Sequence, residues 1–234
     1  MKTIGLLGGM SWESTVTYYQ VINETVREEL GGLHSAKILL YSVDFDEIER
    51  YQSAGRWEQS AAILSQAAAR LEKAGADFLV ICTNTMHKVA PEIGAALSIP
   101  LLHIAEATAG KLTEAGIAAV GLLGTSYTMT ERFYSDVIRR AGIEVLVPGG
   151  DEIGAVDRII FDELCLGIIR SESRETVLRV IDGLRERGAQ GVILGCTELG
   201  LLIRPEDTAL PVFDTALIHA REAAMEALRN RPLQ

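Results

Sequence analysis

The sequence predicts an α/β protein with two similar lobes, each a parallel sheet flanked by helices. Three observations lead to this fold class: strand-like apolar runs alternate with helical segments, the chain repeats its own motifs in the same order, and small polar residues follow several predicted strands. Strands that alternate with helices of roughly 10–20 residues imply βαβ units, in which the crossover helix makes the neighbouring strands parallel.

The residues at the ends of the first strand and the first helix predict where these elements begin and end. Residues 3–7 are mostly apolar and predict a short strand, and Gly8-Gly9 predicts the turn that ends it. A helix is predicted from Ser11 to Gly31-Gly32, because glycine commonly follows the last turn of a helix. Its apolar residues at helical spacing are Trp12, Val16, Tyr19, Val26 and Leu30.

Three further elements follow in the same alternation. Lys37 to Val43 predicts a second strand, and the alanine-rich stretch 59–74 predicts a helix that Gly75 closes. The apolar run 78–81 predicts a buried strand, which opens into a loop of small polar residues.

Internal similarity predicts the domain organisation. LEKAGADFLVICTNT (71–85) aligns with LRERGAQGVILGCTE (184–198), IGLLGG (4–9) with VGLLGT (120–125), and IPLLHI (99–104) with LPVFDT (210–215), at offsets of 113, 116 and 111 residues. Three matches in the same order indicate a duplicated unit of roughly 110 residues, the size of a small domain. We predict an N-terminal lobe of residues 1–98 plus 212–234 and a C-terminal lobe of residues 99–211.

The same alignment distinguishes two neighbouring candidates, Cys82 and Thr83. Thr83 aligns with Cys196, whereas Cys82 aligns with Gly195. Because successive side chains of a strand point to opposite faces, Cys82 points away from the direction of Thr83. We therefore predict that Thr83 occupies the functional position and that Cys82 is a core thiol.

Composition and charge exclude several classes of function. The net charge of −10 argues against nucleic acid as a partner, because phosphate binding needs a basic face. No signal-peptide pattern and no run of about 18 apolar residues is present, so we expect no membrane partner. Three cysteines predict free thiols in a reducing cytoplasm. The four histidines lack metal-ligand spacing, and GLLGGMS lacks the glycine and lysine pattern of a nucleotide loop.

Small or polar residues follow four predicted strands, at the carboxyl ends where parallel sheets bind ligands. If the two lobes face each other, Thr83 and Cys196 lie on opposite walls of one cleft. Two opposed groups around a small anion suit the removal and return of a proton at a carbon atom. The four strand-end segments are Gly8-Gly9-Met10, Thr83-Asn84-Thr85, Gly124-Thr125-Ser126 and Cys196-Thr197-Glu198.

The two opposed residues differ in what they can do. Cysteine acts as a base only as the thiolate, so a helix N-terminus or a positive neighbour is expected to lower the pKa of Cys196. Threonine is no base near neutral pH, and Thr83 is expected to orient or relay a proton of water.

These motifs resemble those of the aspartate/glutamate racemase family of cofactor-independent amino-acid racemases. The matching segments cover essentially the whole chain: GLLGGM near the start, TNTMH at 83–87, LLGTSYTM at 122–129, GCTEL at 195–199 and PVFDT at 211–215. The resemblance implies two α/β lobes with the active site between them, a homodimer, an amino acid as the small-molecule substrate, and neither a metal nor pyridoxal phosphate.

The resemblance also implies roles for individual residues. Cys196 takes the α-proton of the L-enantiomer, and Thr83 stands where relatives usually carry a second cysteine. From its position two residues after Cys196, and not from the resemblance, Glu198 is expected either to orient a proton network or to cap a helix. Asn84, Thr85 and Thr197 fall on positions that hold the α-carboxylate and amino groups, and further substrate contacts are expected from Met10, Gln52, Thr125 and Tyr127.

The substrate expected from this resemblance is L-aspartate or L-glutamate. Relatives that resemble aspartate racemase often carry a lysine at the position of Cys165, which is predicted here to be a core thiol, so a broad-specificity amino-acid racemase stays open. Two further hypotheses also stay open: a single-thiol enzyme of the arylmalonate decarboxylase or maleate isomerase type, and a non-catalytic protein that binds amino acids.

Overall fold

The structure is a computed structural model and describes residues 1–229. It divides into two compact units, the first containing residues 1–104 and the described residues from His219 onward, the second containing Ala105–Ile218. Residues 230–234, which the predicted N-terminal lobe includes, lie outside the described residues.

The first unit contains a four-stranded sheet and the helices that connect its strands. Its strands are β1 (Thr3–Gly8), β2 (Lys37–Ser42), β3 (Phe78–Ile81) and β4 (Leu101–Leu102). Its helices are α1 (Trp12–Leu30), α2 (Phe45–Ser53), α3 (Trp57–Lys73) and α4 (Ala90–Ala95), with a 3₁₀ helix at Thr85–Val89. The strands are parallel and lie in the order β2-β1-β3-β4.

Helix α1 has the predicted ends but buries a different face from its most apolar stripe. The Ser11 hydroxyl accepts a hydrogen bond from the Ser14 N–H at the start of the helix, and Gly31 ends it with a φ of 72°. The buried side chains include Tyr18, Ile22 and Val26. Of the apolar residues at helical spacing, Val26 is buried, whereas Trp12, Val16 and Tyr19 are exposed.

Small side chains let helix α3 pack closely on the sheet. Its buried residues recur at helical spacing and are Ser60, Ala61, Leu64, Ala67, Ala68 and Leu71. The alanines and leucines of this set belong with Leu79 and Ile81 of β3 to one core cluster, in which each fully buried leucine contributes about 1.5–3 kcal/mol. This cluster fixes the strand whose carboxyl end carries Thr83.

The second unit has its own sheet and helices. Its strands are β5 (Ala119–Gly124), β6 (Glu144–Leu146), β7 (Val192–Gly195) and β8 (Val212–Asp214). Its helices are α5 (Ile104–Glu114), α6 (Ser126–Thr130), α7 (Arg132–Arg140), α8 (Gly150–Asp162), α9 (Ser171–Glu186) and α10 (Leu199–Leu202), with 3₁₀ helices at Leu164–Leu166 and Pro205–Asp207. Helix α11 (Thr215–Leu228) begins in this unit and, from His219 onward, belongs to the first unit. The strands are parallel in the order β6-β5-β7-β8.

The two sheets share one topology. In each unit the first strand in the chain lies second from the edge, between the second and the third strands. The segments that align in the sequence correspond to equivalent strands, β1 with β5, β3 with β7 and β4 with β8. The predicted α/β class, with parallel sheets flanked by helices, is confirmed. In residues 1–229, no helix is both long enough and apolar enough to cross a bilayer.

Candidate active site

The carboxyl end of β3 carries the first group of predicted site residues. Thr83, Asn84 and Thr85 follow the fully buried strand and are themselves at most 9% exposed. Cys82 has no exposed surface, and burial raises the pKa of its thiol, as befits a core residue. The expectation that Cys82 is a core thiol therefore agrees with the structure.

A buried histidine holds the backbone of Thr83. The Nδ1–H of His87 donates to the Thr83 carbonyl at 2.7 Å, and the Nε2 of His87 accepts from the Ile104 N–H at 3.2 Å. This pattern requires the neutral ring with its proton on Nδ1. Burial, His103 and His219 also lower the pKa of His87 well below the usual value. His87 thus acts as a neutral bridge between the loop after β3 and the start of α5.

A second buried histidine supports the first from helix α11. The Nε2–H of His219 donates to the Leu102 carbonyl at 3.0 Å, so its Nδ1 accepts from the Tyr18 hydroxyl at 2.8 Å. Burial lowers the pKa of His219 to about 3, which keeps this ring neutral as well. The ring centroids of His87 and His103 are 4.6 Å apart. Even so, no group of three or more metal-binding side chains occurs within residues 1–229.

The loop after β1 lies beside the loop after β3. The Cys82 N–H donates to the Leu7 carbonyl at 2.9 Å, so the two strands end at the same level. Gly9 has a φ of 92°, and a Cβ there would lie 2.3 Å from the Val43 carbonyl oxygen, so this turn requires glycine. Its N–H donates to the Thr15 hydroxyl at 2.8 Å.

Two predicted contact residues of the first unit are less accessible than expected for substrate contacts. Met10 is 4% exposed and belongs to the core cluster that also contains Ile48 and Met86. Gln52 is 3% exposed and lies in α2, one turn after Ile48. Both side chains are thus buried within the first unit.

The carboxyl end of β7 carries the second group. Cys196 is 8% exposed and Glu198 is 4% exposed. The thiol of Cys196 donates to Glu198 Oε2 at 2.9 Å, and the Thr197 hydroxyl donates to the same oxygen at 2.8 Å. One carboxylate oxygen thus accepts hydrogen bonds from both side chains that precede it.

The pKa of Cys196 is shifted in the opposite direction from the one expected from the sequence. Burial first, and then the negative charge of Glu198 and the neighbouring Cys165, raise the pKa of Cys196 well above the usual thiol value. We expected a helix start or a positive neighbour to lower it. Helix α10 has only four residues, and every lysine and arginine of the second unit is exposed, so no buried cation lies beside the thiol. The resting group is a thiol bonded to a carboxylate.

Thr125 and Tyr127 lie next to this group at the end of β5. Gly124 is paired with Gly195, so Thr125 and Cys196 leave neighbouring strands at the same level. The Thr125 hydroxyl accepts from the Thr128 N–H at 3.4 Å and caps α6, as Ser11 caps α1. Tyr127 is half-buried in the first turn of α6.

Sequence reasoning did not assign supporting roles to several of these side chains. The Thr215 hydroxyl donates to the Leu194 carbonyl at 2.8 Å and so fixes the strand that precedes Cys196. The Asp157 carboxylate accepts from the Ser126 N–H at 2.6 Å. The internal repeat could have pointed to Thr215, which stands in the repeated LPVFDT segment. No sequence pattern pointed to Asp157.

Comparisons with known proteins give the context of these residues. Residues 7–223 match the profile of the Asp/Glu/hydantoin racemase family. A candidate Asp/Glu racemase from Yersinia pestis is 55% identical, with a TM-score of 0.92 over 98% of this chain and 100% of that one. An aspartate racemase homologue from Pyrococcus horikoshii OT3 is 38% identical, with a TM-score of 0.85 over 97% and 99%. The broad-specificity amino-acid racemase RacX of Bacillus subtilis is 26% identical over 93% of this chain and 95% of RacX.

Proposed function

This chain belongs to the Asp/Glu/hydantoin racemase family and is an amino-acid racemase, and we propose that it acts on L-aspartate and L-glutamate through the Cys196 thiolate. The observation that carries this proposal is the 2.9 Å hydrogen bond from the Cys196 thiol to Glu198. It pairs a nucleophilic sulfur with a buried proton acceptor at the carboxyl end of a parallel strand, the usual place for a ligand.

Glu198 provides the proton acceptor that a thiol with a raised pKa needs in order to ionise. The ammonium group of an incoming amino acid brings a positive charge, which favours the ionised thiol. The thiol proton then passes to the Glu198 carboxylate, and the thiolate takes the α-proton of the L-enantiomer. Because the acceptor is already hydrogen bonded to the thiol, this first transfer needs no rearrangement of the side chains.

The α-carbanion needs donors around the substrate carboxylate. Asn84, Thr85 and Thr197 are assigned to the α-carboxylate and amino groups, with an amide and hydroxyls that can hydrogen bond to both. Donors fixed in a buried setting stabilise negative charge more strongly than water does. The backbone of Thr83, which precedes two of these residues, is held by His87 at 2.7 Å, so their loop is pre-organised.

Thr83 returns the proton to the other face of the α-carbon. Its hydroxyl gives a proton to the carbanion and takes one from a water molecule. The hydroxide that remains takes, through solvent, the proton that Glu198 received from the thiol, so the carboxylate and the water are both restored. Threonine has no acidic pKa of its own, so this return is slower than one from a cysteine. The two directions of the reaction are therefore unequal, and abstraction from the L-enantiomer is the faster one.

A broad-specificity racemase is the second candidate, and Cys165 favours it. This side chain is half-buried, contacts the core cluster that contains Cys196, and raises the pKa of the Cys196 thiol. A distal carboxylate of the substrate needs a cation, whereas a thiol suits a neutral side chain. In this form of the proposal the enzyme accepts amino acids such as homoserine together with the acidic ones.

All the proposed proton transfers use side chains and water. No metal or pyridoxal phosphate is therefore needed, and a reducing compartment such as the cytoplasm would keep Cys196 as a free thiol.

Chiral chromatography of the products tests the proposal. L-aspartate, L-glutamate and L-homoserine are incubated separately with the wild type and with Cys196→Ala, and the D-enantiomer is quantified. We expect the D-enantiomer of at least one substrate with the wild type only. Preference for the acidic pair supports the first candidate, and equal use of homoserine supports the second. Substrate binding without any D-product would contradict both and indicate a binding protein.

A further inference from the structure

A glycine in the first turn of α10 lies directly against the end of strand β8. Gly200 is the second residue of α10, two residues after Glu198, and it is half-buried. A Cβ added at Gly200 would overlap Oδ2 of Asp214, the last residue of β8, and would lie 3.3 Å from its Cγ. The Asp214 carboxylate therefore occupies the space in which a side chain at position 200 would begin.

The Asp214 carboxylate is anchored in this space by its other oxygen. Asp214 Oδ1 accepts from the Ala216 N–H at 2.9 Å and from the Leu217 N–H at 3.1 Å, and so caps the start of α11. The strand is fixed as well, because Asp214 is paired with Leu194 of β7. Moving the carboxylate away from Gly200 would break the two capping bonds, so the close approach is part of the fold.

The backbone of α10 connects this contact to Cys196 and Glu198. The Leu199 N–H donates to the Cys196 carbonyl at 3.1 Å, and the Leu201 N–H donates to the Glu198 carbonyl at 3.0 Å. These two bonds lie on either side of Gly200, so a displacement of Gly200 disturbs both. The 2.9 Å distance between the Cys196 sulfur and Glu198 Oε2 depends on the same stretch of backbone.

The internal repeat shows a matching contact in the first unit. At the offset of 113 residues His87 aligns with Gly200, and the match of IPLLHI with LPVFDT aligns His103 with Asp214. The ring centroids of His87 and His103 lie 4.6 Å apart, and His87 bonds to the Thr83 carbonyl. Each unit thus packs a residue from the segment after its third strand against the end of its fourth strand.

We propose that Asp214 is a positioning residue for Cys196 and Glu198, and that residue 200 is glycine because the Asp214 carboxylate fills the place of its side chain. Asp214 acts through its shape: it sets the first turn of α10, and that turn holds Glu198 where the Cys196 thiol can bond to it. Asp214 does not touch the substrate in this role. The assignment rests on the proposed function, since it concerns the two residues that exchange the thiol proton.

The α-proton exchange of the L-substrate in D₂O tests the assignment in the full chain. Gly200→Ala forces the turn and the carboxylate apart, and we expect the exchange rate to fall at least about 10-fold while KM changes less than about 3-fold. Asp214→Ser shortens the side chain and keeps a capping oxygen. The double variant Gly200→Ala/Asp214→Ser should therefore exchange at least about 5-fold faster than Gly200→Ala alone.

Two further variants separate shape from charge and from the general effect of alanine. Asp214→Asn keeps the shape and the capping oxygen, so this conservative variant should retain at least about a third of the wild-type rate. Gly154→Ala is the matched control, because Gly154 is exposed in α8 and a Cβ there would meet no atom within 4 Å. It should exchange at the wild-type rate, and circular dichroism checks the fold of every variant.

The pH dependence of Cys196 alkylation, read by peptide mass spectrometry, gives a second readout that needs no turnover. Glu198 raises the pKa of the Cys196 thiol, so a longer distance between them in Gly200→Ala should lower the pH at which the thiol is alkylated. The double variant should restore it. A wild type without any exchange would refute the proposed function, and alkylation would then decide the role of Asp214 by itself.

The assignment is overturned if Gly200→Ala matches the wild type in exchange and in alkylation, or if a folded double variant does not repair the loss. It is also overturned if Asp214→Asn loses as much rate as Gly200→Ala, because the charge would then act instead of the shape. Should Gly200→Ala not fold, a double variant that folds and exchanges supports the assignment. A double variant that stays unfolded although Asp214→Ser folds overturns it.

Discussion

Replacing Glu198 by glutamine keeps the shape of a buried side chain and removes its ability to take a proton. The carboxylate is 4% exposed, and its Oε2 accepts from the Cys196 thiol at 2.9 Å and from the Thr197 hydroxyl at 2.8 Å. In the proposed mechanism this oxygen receives the thiol proton before the α-proton is removed. Glu198→Gln should therefore slow L-substrate turnover although both hydrogen-bonding neighbours can stay in place.

The size of this effect follows from the direct contact. A positioned acid or base typically contributes about 10²–10⁴-fold to a rate. Because one hydrogen bond joins sulfur and oxygen, we expect Glu198→Gln to lower the rate about 10²–10³-fold, or about 3–4 kcal/mol of transition-state stabilisation. The pKa of Cys196 should move the other way. Glu198 raises that pKa through its charge and its hydrogen bond, so the pKa falls when the carboxylate is replaced.

Two assays separate these opposite changes. The α-proton exchange of the L-substrate in D₂O gives the rate, and the pH dependence of Cys196 alkylation, read by peptide mass spectrometry, gives the pKa of the thiol. Glu206→Gln is the control, because Glu206 is exposed. An unchanged exchange rate in Glu198→Gln, or a thiol whose pKa rises, would refute the reasoning.

Three further predictions follow from the same contacts. Thr83→Val removes the hydroxyl and should lower L-to-D conversion at least 10-fold while α-proton exchange of the L-substrate changes less than about 3-fold, measured by chiral chromatography beside NMR. Tyr18→Phe leaves the buried Nδ1 of His219 without its donor, and we expect a loss of about 1–3 kcal/mol, seen in calorimetry as a Tm lower by about 2–10 °C. Stability should also fall as the pH drops below 6.5, because the unfolded chain then takes up a proton that folded His219, with its pKa lowered to about 3, does not. The slope for this residue is about 1.4 kcal/mol per pH unit, His87 adds to it in the same direction, and denaturant titrations from about pH 7 to pH 5 measure it.

Each of these three has its own control. Thr113→Val changes a threonine hydroxyl that bonds to the Ala109 carbonyl inside α5, and it should alter neither conversion nor exchange. Tyr19→Phe removes an exposed hydroxyl and should leave the Tm unchanged. His219→Gln should flatten the acid dependence of stability, and an equally steep dependence in that variant would show that His219 is not its source.

Much of the fold follows from local pattern and internal repetition. The apolar runs and glycines located β1, α1, α3 and β3 to within a few residues, because buried strands and helix ends leave short-range signals. The repeat went further, since it aligned Thr83 with Cys196 and marked both as residues at strand ends. In the structure Cys196 is the first residue after β7, and Thr83 is the second residue after β3.

The features that the sequence did not predict depend on packing between segments that are distant in the chain. The stripe of Trp12, Val16 and Tyr19 has the spacing of a buried helix face, yet it is exposed, because α1 buries Tyr18, Ile22 and Val26 instead. The bond between His87 and the Thr83 carbonyl depends on a 3₁₀ turn that brings the ring back over the preceding loop.

The pKa of Cys196 was likewise beyond prediction from sequence. Its direction depends on the burial of the thiol and on the orientation of Glu198, and neither can be read from the letters GCTEL. The sequence suggested a helix start as the cause of a lowered pKa, but the short helix α10 and the absence of a buried cation in the second unit leave burial dominant.

Deuterium exchange at the α-carbon tests the central claim most directly. The wild type and Cys196→Ser are compared in D₂O by NMR with L- and D-aspartate, L-glutamate and L-homoserine. If Cys196 is the base for the L-enantiomer, the wild type exchanges the α-proton of an L-substrate far faster than that of its D-enantiomer, and Cys196→Ser loses the L-exchange. Equal exchange from both enantiomers, or L-exchange that survives in Cys196→Ser, would contradict the account.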